Sequence, residues 1–174
     1  AVQANGDIDV TRIGTGARRT LGDGSLGRLG GMVPSPDGKS LLTGHERDGV
    51  QSVALWDLDT GRLRCRIHTP TEQTRDAAWS RDGTRVITGN SSGDVVIFDS
   101  TTGQRVASFH TFGIAAVSFS NSGRLVAVST IAGSGNIYDN QGDGLARLSP
   151  LSLPYGLGLD GNQGLNIADS FNFI

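Results

Sequence analysis

A charged tetrapeptide is the densest group of chemically active side chains in the sequence. His45, Glu46, Arg47 and Asp48 are consecutive, and a glycine follows them. An imidazole, two carboxylates and a guanidinium could bind a metal ion or transfer protons. The spacing does not fit a helical zinc motif, because HExxH needs a second histidine four residues after the first. A solvated hairpin tip whose charges pair with one another explains the tetrapeptide better.

Other stretches resemble parts of functional motifs but lack the essential partners. Residues 21–27 (LGDGSLG) are glycine-rich, yet they lack the Gly-Lys-Ser/Thr and the helix of a phosphate loop. Serines are abundant, but no Gly-x-Ser-x-Gly elbow occurs. Arg12, Arg18 and Arg19 form a small basic cluster that we interpret as a solvated face. The sequence therefore predicts no catalytic residue, no metal site and no cofactor.

Composition and charge argue against several classes of function. The chain has 174 residues, 15 Lys and Arg, 17 Asp and Glu, and a net charge of −2. It offers no basic stripe of the kind that nucleic-acid binding requires, and no apolar run approaches the ~20 residues of a membrane span. The single Cys65 excludes an intrachain disulfide. No signal peptide is visible in the first residues, AVQANGDI, which slightly favours a cytoplasmic location.

Glycine turns recur along the chain and divide it into repeats. Residues 76–110 alternate four short apolar strands with three glycine turns, and similar hairpins occur at 33–44 and 117–128. Successive turns are about 40 residues apart, a period typical of β-propeller blades. The sequence thus predicts an all-β fold, a β-propeller built of four-stranded antiparallel blades. Large aromatic residues at equivalent positions are expected in its core, namely Trp56 and Phe98 on third strands and Trp79 and Phe119 on first strands.

Most of the repeated part of the chain resembles a WD repeat protein. Trp56 and Asp57 follow an apolar strand and precede the turn at 59–61 (DTG), and His110 leads into the first strand of the next repeat. The resemblance covers residues 6–129. In WD repeats, a histidine after the outer strand hydrogen-bonds to an aspartate of a tight turn through a serine or threonine. The resemblance therefore implies a structural network of His68, Thr88 and Asp94.

The C-terminal part resembles an NHL repeat, which is another family of propeller blades. The matching residues are 154–157 (PYGL) and 165–170 (LNIADS), within 130–174. The two resemblances assign the strands after Ser129 differently. A WD-type blade has its third and fourth strands at 136–139 and 145–148, whereas an NHL-type blade makes 133–154 a long loop. We prefer the WD-type assignment because it gives the preceding blade four strands.

The repeats predict one domain, residues 1–174, with about four blade equivalents. The blade segments are 6–21, 30–68, 75–110, 114–148 and 155–174. The first segment has only outer strands and the last has only inner strands, so the two could pair in one composite blade. Within one chain this pairing closes a ring of about four blades, and between two chains a ring of about eight. Because WD-type wedges suit rings of about seven, we favour a homodimer if the chain is complete, and a longer propeller is the alternative.

These observations favour a non-enzymatic scaffold that binds a protein partner. In a propeller, the loops between blades share one face with the loops between second and third strands. The candidate contact residues on that face are His45, Glu46, Arg47, Asp48, Glu72, Arg75 and His110. A propeller hydrolase or lyase would instead need several titratable residues converging around the channel, and only Asp76 and Asp160 are candidates near such positions. A carbohydrate- or small-ligand-binding propeller would repeat polar and aromatic residues in equivalent loops, and these loops differ.

Overall fold

The computed structural model shows an all-β chain. It describes residues 3, 6–22, 24–68, 74–140 and 144–148, with the backbone alone at 68 and 144–148. Within these ranges there is no helix, and hence none that could span a membrane. The strands are β1 (Ile8–Thr11), β2 (Arg18–Leu21), β3 (Arg28–Pro34), β4 (Ser40–Arg47), β5 (Val50–Asp57), β6 (Leu63–His68), β7 (Thr74–Trp79), β8 (Arg85–Asn90), β9 (Asp94–Asp99), β10 (Arg105–His110), β11 (Ile114–Phe119), β12 (Leu125–Thr130), β13 (Gly135–Asp139) and β14 (Gly144–Leu148).

The strands form antiparallel meanders in which each strand pairs with the next one in sequence. β1 and β2 make a two-stranded sheet, and β3–β6, β7–β10 and β11–β14 make three four-stranded sheets. The predicted all-β class is confirmed. β13 and β14 occupy the positions that the WD-type assignment gave to the third and fourth strands. The alternative that made residues 133–154 one long loop is wrong, because β13 pairs with both β12 and β14.

The chain divides into two compact units. Unit 1 comprises residues 1–73 and 100–104, and unit 2 comprises residues 74–99 and 105–174. In unit 1, the β1–β2 sheet packs against the β3–β6 sheet through one apolar cluster. Its buried members are Ile8, Leu21, Leu26, Leu41, Ala54 and Trp56. Burial of this shared face is what holds the two-stranded sheet in place, because a lone hairpin is at best marginally stable in water.

In unit 2, β11 of one sheet lies against β7 and β8 of the other. The side chains that the two sheets bury between them are Ile87, Val95, Ile97, Ile114, Val117, Phe119, Val126 and Val128. Burial alternates along β12, as expected for a strand with one face in a core. Trp56, Phe98 and Phe119 are buried as predicted, whereas Trp79 is only half-buried.

The first hairpin of each four-stranded sheet closes with the same serine-anchored turn. The Ser80 hydroxyl donates to Asp82 Oδ1 at 2.6 Å and accepts from the Arg85 backbone N–H at 2.9 Å. Ser35 makes the equivalent bonds in the β3–β4 turn, and the Ser120 hydroxyl accepts from a backbone N–H in the β11–β12 turn. A serine oxygen thus satisfies a backbone donor that the tight turn would otherwise leave unpaired. The repetition of this detail supports the sequence repeat at the level of single atoms.

Candidate functional site

The charged tetrapeptide belongs to the β4–β5 hairpin of unit 1. His45, Glu46 and Arg47 lie within β4, and the connection to β5 is only two residues, Asp48 and Gly49. Both have positive φ angles, 53° and 78°, which is the geometry of a primed hairpin turn. His45, Glu46 and Arg47 are therefore strand residues and only Asp48 lies in the turn, because this turn lets the two strands continue pairing as far as Arg47.

His45 is buried, with 2% of its surface exposed, and its contact with a partner stays a prediction. Its Nε2 lies 2.7 Å from Thr43 Oγ1, and Trp56 Nε1 donates to the same oxygen at 2.9 Å. The Thr43 hydroxyl in turn donates to the Ala54 carbonyl at 3.3 Å. Thr43 and His45 are two positions apart on β4 and therefore point to the same face of the sheet, and Trp56 on the paired strand β5 points to that face too. The two-residue period of a strand thus brings the three side chains together.

The rest of the hairpin is exposed and packs on the loop that leads into β3. The Arg47 guanidinium donates to the Ser25 carbonyl at 2.8 Å, and the Arg66 guanidinium donates to the Ser25 hydroxyl at 2.9 Å. Arg47 Nε also lies 3.7 Å from Asp48 Oδ2, but a surface ion pair of this kind contributes little to the stability of the fold. Glu46, Arg47 and Asp48 are thus exposed, and their contact with a partner stays a prediction. Glu72, another predicted contact residue, lies outside the described residues.

In unit 2, His110 pairs with an aspartate that the sequence reasoning did not assign to it. His110 Nδ1 lies 2.9 Å from Asp94 Oδ1, and the Asn90 amide donates to Asp94 Oδ2 at 3.1 Å. The hydrogen bond from His110, followed by that from Asn90, lowers the pKa of Asp94. The strand register could have shown the pairing, because His110 on β10 stands directly opposite Asp94 on β9.

The implied network of His68, Thr88 and Asp94 stays a prediction. Thr88 is buried, and Asp94 is bonded to His110, but the side chain of His68 lies outside the described residues. In the sheet register, His68 on β6 stands opposite Ser52 on β5. A serine thus occupies in unit 1 the position that Asp94 occupies in unit 2.

Two large apolar side chains project from the turns beside His110. Phe112 is 85% exposed and Ile131 is 78% exposed. Their turns are joined by a hydrogen bond of 2.8 Å from the Ile131 N–H to the Gly113 carbonyl. The ring of Phe112 meets that of His110 edge to face at 6.3 Å. We call His110, Phe112 and Ile131 the Phe112 patch; of these residues, the sequence reasoning did not predict Ile131.

Arg75, another predicted contact residue, is exposed at the start of β7. Its neighbour Asp76 has a different role, because Asp76 Oδ2 accepts the Val117 backbone N–H at 2.9 Å. This bond ties β7 to β11. Burial raises the pKa of Asp76, and the backbone N–H groups of Val117 and Ala77 partly oppose that rise. Asp160, the other candidate channel residue, lies outside the described residues.

Replacing Asp76 should separate its charge from its hydrogen bond. We expect Asp76→Asn, which keeps an oxygen acceptor, to be at least as stable as wild type at pH 7. Asp76→Ala should be less stable by about 1–2 kcal/mol, because the Val117 N–H loses its partner. Urea unfolding monitored by circular dichroism measures both. Equal destabilisation by the two variants would contradict this account, since it would mean that the charge itself is required.

The pH dependence of these variants has a defined sign. The folded-state pKa of Asp76 lies above its ordinary value of 3.8. Between pH 3.8 and the raised pKa, the carboxyl group binds more protons in the folded state than in the unfolded state. The contribution of Asp76 to the stability of wild type therefore falls as pH rises through this range. Asp76→Asn should lack this contribution.

Comparison with known proteins gives no family assignment. No family model matches the sequence, and no curated protein is significantly similar to it. Within the described ranges, no group of three or more histidine, cysteine or acidic side chains is arranged to hold a metal ion.

Proposed function

We propose that this chain is a β-propeller module of the WD type that binds a protein partner through the Phe112 patch. The observation that carries the proposal is the exposure of Phe112 and Ile131 on joined turns beside His110. Large apolar side chains that stand together in water mark interaction sites more often than chance, and aromatic residues are common anchors in protein interfaces.

The propeller assignment is supported by the repetition of one structural unit. Three four-stranded meanders carry equivalent serine-anchored turns, and the sheets within each unit share an apolar core. A meander with two apolar faces needs neighbours on both sides, which a ring of blades provides. The WD-type residues at Trp56 and His110 support the same assignment.

The geometry of the patch suits binding because the partner would meet a preformed surface. The hydrogen bond between Ile131 and Gly113 fixes the two turns relative to each other. His110 is itself held by Asp94, so the backbone of the two turns and one side chain of the patch are positioned before any partner arrives. Such preorganisation lowers the entropic cost of association. The partner that fits best is a protein segment with an apolar side chain that can cover Phe112.

The contact of the Asp76 carboxylate with the Val117 backbone favours binding over catalysis as the function. A hydrolase or lyase would use Asp76 as a channel acid or base, but its hydrogen bond to Val117 gives it a structural task. Arg75, which precedes Asp76 in the sequence, is exposed and could contribute to the proposed interface.

The test is a comparison of two surface variants of the chain. Phe112→Ser combined with Ile131→Ser should leave the melting temperature within about 2 °C, because exposed side chains contribute little to stability. The same variant should weaken binding of a partner by tenfold or more, as expected for loss of an anchor. The matched control is Ile13→Ser, since Ile13 is 100% exposed on the β1–β2 turn of unit 1.

The measurement is quantitative crosslinking from cell extract, followed by titration calorimetry with each recovered protein after purification. A specific partner binds wild type and Ile13→Ser equally and the double variant weakly. If every purified protein that binds wild type binds the double variant with the same affinity, the Phe112 patch is not the binding site.

If the chain is complete, a second copy of it is the partner that we propose for ring closure, and a longer propeller is the alternative. In the described part of the chain, the β1–β2 sheet has two strands where the other sheets have four. The predicted complementary segment, 155–174, lies outside the described residues, so the composite blade and the eight-bladed ring stay predictions. Light scattering at micromolar concentration should give twice the 18.1 kDa mass of one chain. The mass of a single chain would contradict the homodimer.

A further inference from the structure

We propose that His45 is a proton-sensitive latch: neutral, it holds the tip of the β4–β5 hairpin (residues 46–51) against residues 24–27, and protonation releases that tip. The proposal concerns unit 1 alone and does not depend on the Phe112 patch. It is carried by the position of His45 in its sheet, by its unequal ring nitrogens and by what packs above it.

The first observation is that β4 differs from its counterparts at this position. His45, Asn90 and Thr130 stand at equivalent places near the ends of the second strands of their sheets. Asn90 and Thr130 cap the turn that follows at once, through Asn90 Oδ1 to the Asp94 N–H and through Thr130 Oγ1 to Ser134. All three side chains are buried, but His45 bonds back to Thr43, and its strand continues beyond it into the hairpin. The extension and the buried imidazole therefore occur together.

The second observation concerns the protons of the imidazole. Trp56 can only donate to Thr43 Oγ1, and the Thr43 hydroxyl can donate to the Ala54 carbonyl, which lies 3.3 Å away. We infer that the hydroxyl hydrogen lies on this carbonyl, which assigns the proton of the His45–Thr43 contact to the imidazole. Thr43 Oγ1 therefore accepts a second hydrogen, from His45 Nε2. This leaves Nδ1 as the unprotonated nitrogen, and among the described residues it has no hydrogen-bond partner of normal geometry. A proton arriving from water would bind at Nδ1.

The surroundings of Nδ1 oppose such a proton. Burial lowers the pKa of His45, the charge of Arg66 lowers it further, and the Gly27 backbone partly compensates. From β3 the register partner is the apolar Leu29, from β5 it is Ser52, and His68 of β6 shares the same row. In the part of the chain that the structure describes, no carboxylate pairs with His45. The imidazolium would be a buried cation without a counterion.

The third observation concerns the contacts that residues 25 and 27 make with the hairpin directly after His45. Gly27 lies so close to the hairpin that a side chain there would overlap the Glu46 carbonyl and the Arg47 Cβ. Arg47 also bonds the Ser25 carbonyl. An imidazolium could be stabilised if the strand moved and water reached Nδ1, and the same movement would break the contacts with Ser25 and Gly27. Proton binding and hairpin release are thus coupled.

The sign of the coupling follows from linkage. The folded-state pKa of His45 lies below the ordinary value of 6.5, so the open state binds protons more readily than the closed state. The closed hairpin is fully stable above pH 6.5 and loses stability as pH falls below that value. One proton changes the opening equilibrium by at most about tenfold for each pH unit.

Amide hydrogen exchange between pH 7.5 and 5.5, corrected for the intrinsic rate, tests the latch. In wild type, protection of residues 44–52 should fall at the lower pH, while protection of β8 and β12 in unit 2 stays constant. His45→Asn places the residue of the equivalent β8 position at this site and should make the hairpin insensitive to pH. His110→Gln, which removes an exposed histidine, should leave the sensitivity of the hairpin unchanged.

Three outcomes would overturn the proposal: constant protection of the hairpin in wild type, an equal loss throughout the chain, or pH sensitivity that persists in His45→Asn. Should the variant fail to fold, an NMR titration of the wild-type imidazoles decides the question. A His45 pKa below 6.5, with hairpin amide shifts that follow the same curve, supports the latch. A His45 pKa at or above 6.5 overturns it.

Discussion

Trp56→Ala is expected to lower the free energy of unfolding by about 3–5 kcal/mol, the range for deletion of a large buried aromatic side chain. Trp56 is 4% exposed and lies in the cluster that joins the β1–β2 and β3–β6 sheets. Its removal would leave a cavity in that cluster and take a hydrogen-bond donor from Thr43. Urea unfolding monitored by far-UV circular dichroism measures the loss.

The matched control is Trp56→Phe, which retains most of the packing but not the indole N–H. Phe98 stands at the equivalent position of β9, so the fold accepts a phenylalanine there. This variant should cost only about 1–2 kcal/mol, from a smaller side chain and one lost hydrogen bond. If Trp56→Ala is no more destabilising than Trp56→Phe, the cavity argument fails.

The second large effect is expected for Gly93→Ala, at about 2–4 kcal/mol. Gly93 has a φ of 107°, and a Cβ there would overlap the Thr111 carbonyl oxygen. Thr111 also donates its N–H to the Gly93 carbonyl at 2.8 Å. The turn must therefore separate from the residues that follow His110, and the change should disturb the Phe112 patch as well. Thermal unfolding gives the stability, and the His110 NMR signals report on the patch.

Gly83→Ala is the control that measures the cost of a positive φ angle without the cost of a steric overlap. Gly83 has a φ of 71°, and nothing lies within 4 Å of a Cβ built there. Only the cost of a left-handed alanine remains, about 1–2 kcal/mol. Equal losses for the two variants would show that the close approach of Gly93 to Thr111 has no energetic weight.

The strands and turns could be predicted from the sequence because local chemistry determines them. Short runs of apolar residues define β8, β9 and β12, and the pairs Asp37-Gly38 and Asp82-Gly83 mark the hairpins that precede β4 and β8. The third and fourth strands of the last four-stranded sheet were found by requiring the repeat to be complete. Each of these inferences uses residues a few positions apart.

The site residues were harder to predict because their environment depends on pairing between strands. His45 reads as the start of a charged loop, and its burial follows only from the unusually long β4–β5 pairing. The bond between His110 and Asp94 needs the register of β9 and β10, which the sequence does not state. The exposure of Ile131 is likewise invisible in a sequence, since an isolated isoleucine is usually interpreted as core.

The serine-anchored turns also have a consequence for the order of folding. Every hydrogen bond that closes them joins residues no more than five positions apart, as from Ser80 to Arg85. Closing so short a segment takes far less time than pairing distant strands, and a β-hairpin forms in about 1–10 μs. We therefore expect the first hairpin of each sheet to form independently, before the sheets pack together. Each repeat therefore contains a hairpin that can form by itself. If a repeat is duplicated in the gene, the new copy carries this hairpin with it, so a protein of this kind can grow by repetition without losing its ability to fold.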